Sequence, residues 1–170
     1  LTPEMSALDI LHKIVRGDVI NDSVRVTIPE GLTLPAVGMI FEARGFFTLD
    51  AFLDAAGSIS LPYEYLDQVP DNVDHKLEGY LFPDTYEFSP HATPAQVIRT
   101  MVARFHELVP PRYRESELKD RFTLHEVVTM ASVVEKEAVK SEERGRISGV
   151  FYNRLATGMM LQSCATVQYI

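Results

Sequence analysis

Val24, Val26 and Ile28 alternate with Arg25 and Thr27 ahead of Pro29 and Gly31, a period of two that predicts a half-buried strand closing in a turn. "LPAVGMIFEARG" and "TLDAFLDAAG" then predict two short helices, each ended by glycine, the second opened by Thr48 as N-cap. "LEGYLFPDTYEF" at 77–88 is aromatic-rich and broken by Gly79 and Pro83, which predicts an irregular or edge strand. These segments make a βααβ unit. Upstream, "MSALDILHKIVR" places Leu8, Leu11 and Val15 at helical spacing before Gly17. From residue 91 the pattern is helical. One helix opens at Thr93 and Pro94 and is expected to stop before Pro110 and Pro111. A second opens with a capping box, Thr123 and Glu126, and a third, "SEERGRISGVFYNRLATG", ends at Gly158. The predicted class is α+β, a βααβ module followed by a mainly helical part.

Within the second of these helices, "LHEVVTMASVVEKEAVK", a Glu-Lys-Glu triplet interrupts an apolar run. At about 100° per residue, Val127, Val128, Ala131, Val134 and Ala138 fall within about 80° of Leu124. Glu135 falls inside that stripe, whereas Lys136 and Glu137 fall off its centre. Two readings of Glu135 stand side by side. One is a structural ion pair with Arg144, Arg146 or Arg154; the other is a desolvated carboxylic acid able to donate a proton near neutral pH. The second reading expects Glu135 to line a cleft without a close arginine or lysine.

A chain of 170 residues with 46% apolar and 24% charged residues is long enough to bury a core, and its net charge is −8. No basic stripe is present to neutralise nucleic-acid phosphates. The apolar runs are too short to span a bilayer. His125 in "HEVVT" has Thr129, not a second histidine, four residues on, so the zinc-protease spacing is missing. The histidines at 12, 75, 91, 106 and 125 have no ligand spacing, and no G-x-S-x-G elbow occurs. Cys164 is the one cysteine and has no disulfide partner in the chain. No metal or cofactor site is read from the sequence. A chain that begins at Leu1 and ends in "TVQYI" is expected to be a piece of something longer.

Four stretches, "VTIPEG", "LEGYLFPDTY", "ASVVEKEA" and "RISGVFYNRLATGMMLQS" running into "TVQY", resemble the MltG/YceG family of endolytic murein transglycosylases in order and spacing. The likeness covers residue 20 to the end. It implies residues 1–19 as a helix leading in from upstream, 20–90 as a LysM-like module, and 91–170 as the first part of a catalytic domain that continues beyond Ile170. The stretch alone is therefore expected to be inactive. The resemblance also implies one N-terminal inner-membrane anchor, a catalytic part facing the periplasm or exterior, peptidoglycan glycan strands as substrate, and penicillin-binding synthases as neighbours.

In such a family the first glutamate of "VEKE", here Glu135, is the catalytic acid, the residue that helical geometry also selects. A lytic transglycosylase consumes no water, so one carboxyl group serves as acid and then as base. Supporting substrate-binding roles fall to Glu78, Tyr80, Asp84, Thr85 and Tyr86 in "EGYLFPDTY", and to Asn153, Arg154, Gln162, Ser163 and Tyr169. The aromatics and Asp84 can equally be core and turn residues. Arg154 is expected to contact substrate or a carboxylate other than Glu135. Cys164-Ala165 stands where many relatives carry Asp-Pro, so no role of that aspartate transfers. The competing view is a non-catalytic peptidoglycan-binding LysM-like module with helices that dock a partner.

Overall fold

The computed structural model describes residues 6–16 and 22–168. Within them the fold is α+β. Helix α1 (Ala7–Arg16) precedes strand β1 (Val24–Thr27), helices α2 (Leu34–Ala43) and α3 (Leu49–Ser58), a 3-10 turn at Glu64–Gln68, and strand β2 (Thr85–Phe88). Gly17, the expected stop of α1, lies outside the described residues. β1 and β2 pair antiparallel, with Val24 opposite Phe88 and Val26 opposite Tyr86. Ile28 N–H donates to the Asp84 carbonyl at 2.9 Å and carries the pairing one step past the strand end. The expected strand–helix–helix–strand order is observed, although only the last four residues of 77–88 form strand. Gly79, at φ +81°, and Pro83 confine the ladder to the end of that segment.

Helix α4 (Pro94–Glu115) is opened by the Thr93 and Gln96 capping box and runs through Pro110 and Pro111 instead of stopping before them. Two prolines remove two backbone donors and resist helix. Burial of the last turn outweighs this: Pro110 is buried, Val109 and Tyr113 pack beside Phe105 and Leu124, and Tyr113 Oη donates to the Phe122 carbonyl at 2.7 Å. A 3-10 turn at Glu117–Asp120 leads to α5 (Leu124–Glu137), whose predicted Thr123 and Glu126 capping box is present. The 3-10 turn Ser141–Glu143, α6 (Arg144–Ala156) and α7 (Ala165–Gln168) complete the order.

Three apolar clusters hold these elements. In the largest, Val26, Phe41 and Phe52 meet Val97, Ile98, Met101 and Val102 of α4, all fully enclosed. At about 1.5–3 kcal/mol per buried side chain, these residues hold α4 in the same core as the two-stranded sheet, α2 and α3. The second joins Tyr65, Val69 and Tyr80 to Phe105 of α4 and Leu124 of α5. The third packs Met130 and Val134 of α5 on Phe151 of α6. α5 is thus buried on two sides, by different partners. That is why the single predicted stripe fails at Ala131, which is exposed, and misses Met130, which is buried.

Candidate active site

Glu135 lies in the last turn of α5, with a third of its side chain exposed. The turn after β1 comes up against it. Gly31 adopts φ +73°, and a Cβ built there would sit 3.6 Å from both Cγ and Oε1 of Glu135. Arg144, the first residue of α6, closes the other side. Its Nη2 lies 3.0 Å from Glu135 Oε1 and 2.9 Å from Oε2, and 3.3 Å from Glu30 Oε2. The expected absence of a close arginine is therefore not observed. α6 begins where the chain turns back after α5, and that turn sets the guanidinium on the carboxylate.

Glu137, placed off the buried stripe by helical geometry, also turns out to be engaged. Its Oε1 accepts from Ser163 Oγ and from Ala165 N–H at 3.2 Å, tying the end of α5 to the start of α7. The Ser163 hydroxyl and the Ala165 amide hold this carboxyl below the usual carboxylate range. Ser163 is buried. Glu78 accepts from Leu34 N–H at 2.8 Å, at the first turn of α2, where a carboxylate complements the helix N-terminus. Burial raises its pKa, opposed by that hydrogen bond and by His75 and Lys136. Lys136 follows Glu135 on α5, so Glu78 belongs to the same neighbourhood.

The remaining expected contacts fall elsewhere. Tyr80 is fully buried, its Oη 3.0 Å from Nδ1 of His125; burial pushes the phenol up to about 12 and the histidine down. Tyr86 is buried and donates to the Phe82 carbonyl at 2.6 Å. Asp84 accepts from Thr85 N–H and from Arg104 Nε, which hold its carboxyl low, and Thr85 Oγ1 lies 3.0 Å from Thr27 Oγ1. Asp84, Thr85, Tyr86 and Arg104 line an open groove of about 570 Å³ between β2 and α4 that does not include Glu135. Arg154, expected on substrate or a carboxylate, instead donates to the Leu161 carbonyl. This tie closes the loop in which Gln162 takes φ 51°. Asn153 and Cys164 are exposed. Tyr169 lies outside the described residues. Among the described residues no group of His, Cys, Asp and Glu is placed to hold a metal ion, and no helix is long and apolar enough to cross a membrane.

One member of each quoted motif thus gathers at the end of α5: Gly31, Glu78, Glu135 and Ser163. A family model described as the YceG-like family matches residues 1–170. The chain belongs to the YceG-like family. Among YceG-like relatives, it is 34% identical over 188 residues to the endolytic murein transglycosylase of Streptococcus pneumoniae strain D39, covering 99% of this chain and 34% of that protein. It is 32% identical over 170 residues to the endolytic murein transglycosylase of Bacillus subtilis strain 168, covering 94% of this chain and 47% of that one. The crystal structure of a YceG-like protein from Listeria monocytogenes superposes with a TM-score of 0.69 at 29% identity, over 96% of this chain and 57% of that chain. This YceG-like chain therefore spans less than half the length of the curated relatives it matches.

Sequence reasoning under-read three participants. Glu30 and Gly31 sit in the quoted "VTIPEG", where a Pro-Glu-Gly turn signals shape and not chemistry. Glu137 carries no local signal, because its partners lie 26 and 28 residues further on.

Proposed function

We propose that the protein is an endolytic lytic transglycosylase that cuts the β-1,4 bond between MurNAc and GlcNAc in nascent peptidoglycan strands, leaving 1,6-anhydroMurNAc ends. The observation that carries this reading is the partly exposed Glu135 carboxyl at the end of α5, with Gly31 of one motif against it and Ser163 of another bound to Glu137 two residues on. In the reaction, Glu135 gives its proton to the glycosidic oxygen as the C1–O bond breaks. The resulting carboxylate then takes the proton of the C6 hydroxyl as that oxygen closes on C1. No water is consumed, and the acid is regenerated, so one carboxyl group suffices.

The βααβ order and the antiparallel pairing of its strands support reading residues 20–90 as LysM-like, with 91–170 as the start of the catalytic domain. An inner-membrane anchor, orientation toward the periplasm or exterior, and penicillin-binding synthases as neighbours belong to the same proposal and rest on the family resemblance. The Arg144 ion pair favours a second reading, a peptidoglycan-binding module in which Glu135 is structural.

Full-length protein and its Glu135→Gln variant, incubated with purified glycan strands and read by mass spectrometry, separate the two. Anhydro ends from the wild type alone are expected. Equal product from both would remove Glu135 from the chemistry, and reducing ends would mean hydrolysis. Binding of strands without any cleavage would favour the module.

A further inference from the structure

Arg144 holds Glu135 in an unusual way. A guanidinium commonly meets a carboxylate fork to fork, through two nitrogens. Here a single nitrogen, Nη2, reaches both oxygens of Glu135 at 3.0 and 2.9 Å and also Glu30 at 3.3 Å. Meanwhile Arg144 Nε is buried without a hydrogen-bond partner. The pair is incompletely made, and a second acceptor already stands beside it. Both carboxylates keep solvent access, Glu135 at 33% and Glu30 at 67% of the side chain.

We propose that Arg144 is a positioning residue that moves between Glu135 and Glu30 during turnover, freeing the Glu135 carboxyl to carry its proton and returning to it when it is ionised. The inference rests on the transglycosylase reading. A guanidinium at both oxygens of Glu135 favours the ionised carboxylate over the acid, so the acid step is helped when Arg144 stands elsewhere. Glu30 provides that place without a long excursion. Once the glycosidic oxygen has taken the proton, Arg144 returns to the carboxylate until the C6 hydroxyl delivers its own. Proton and charge balance with no added reactant, because the proton lost by Glu135 in the first half is recovered in the second.

Several charged groups on the surrounding elements have partners of their own. Glu78 is bound at Leu34 with Lys136 nearby, Glu137 at Ser163, Glu143 at Lys140 N, and Arg154 at Leu161. Only Glu30 stands within reach of Arg144 as an alternative carboxylate among the described residues.

The test is a double-mutant cycle in the full-length enzyme, with anhydro ends counted against time. Glu30→Gln should lower kcat about tenfold while KM stays within about twofold, since ground-state binding is untouched. In an Arg144→Gln background the same Glu30→Gln change should alter kcat by less than about twofold. As a readout that needs no Arg144 variant, the Arg144 Nε–H signal in a proton–nitrogen NMR spectrum should shift on the Glu135→Gln change, which leaves that side chain neutral and the guanidinium on Glu30. It should stay in place when Glu30 is also Gln. A Glu30→Gln enzyme with wild-type kcat, or an equal loss in both backgrounds, would overturn the proposal while leaving the activity standing. A wild type that releases no anhydro ends would instead overturn the transglycosylase reading, and this inference with it.

Discussion

Gly79 approaches Val128 so closely that a Cβ on the glycine would lie 2.8 Å from the valine Cγ1. This contact seats the segment carrying Glu78 and Tyr80 directly on α5, the helix that presents Glu135. Gly79 also adopts φ +81°, a conformation that side chains resist. Gly79→Ala should therefore destabilise the chain by about 1–3 kcal/mol, as a clash and a strained backbone act together. Urea unfolding would measure it, and a loss below about 0.5 kcal/mol, within the scatter of surface substitutions, would contradict the close seating.

Glu78 gives a pH-dependent prediction. Its folded pKa is raised above the ordinary 4.5, chiefly by burial. As pH climbs through the window between the two values, the unfolded chain releases its proton first, so stability falls. Glu78→Gln keeps an oxygen for Leu34 N–H and removes the titration. Thermal melts from about pH 4 to about pH 7 should show the variant gaining on the wild type as pH rises, whereas a constant offset would contradict this.

The Tyr80 and His125 contact predicts the opposite slope. Burial lowers the His125 pKa below its ordinary 6.5, so the contribution to stability is complete above that value and is lost as pH falls through the folded pKa. His125→Asn should flatten the decline in stability on the acid side of 6.5. Tyr80→Phe at neutral pH should cost about 1 kcal/mol, the net worth of a hydrogen bond. Denaturant titrations at several pH values check both changes.

Glu137 anchors the segment before α7 through Ser163 and Ala165. Its depressed pKa means that this anchoring is present above the ordinary 4.5 and is lost as pH falls through the folded value. In Glu137→Ala, amide exchange should quicken at Ala165 while the amides of α4 exchange as before. Uniform protection in both proteins would show that Glu137 holds nothing in place.

Much of this organisation is readable from local sequence. The alternation at Val24, Val26 and Ile28, the capping residues Thr48, Thr93 and Thr123, and the glycine at 158 depend on a few neighbouring positions and recur as observed. The end of α4 was not readable in this way. Two prolines argue locally for a stop, and only the burial of Pro110 and the Tyr113 hydrogen bond to Phe122, in the segment after the helix, carry the helix past them. Helical periodicity likewise assumed one buried face for α5, whereas α4 and α6 cover different sides of it.

Glu135 shows the same division. Sequence alone determined that it stands apart from the solvent-facing side of its helix and that it opens the "EKE" motif, because both follow from spacing along one helix. Only the tertiary structure decided its partners. Arg144 is nine residues away, and Glu30, which shares that arginine, is 114 residues from it. Such contacts exist because three apolar clusters dock the strand turn and α6 against the end of α5, and no periodicity along the chain encodes where those elements meet.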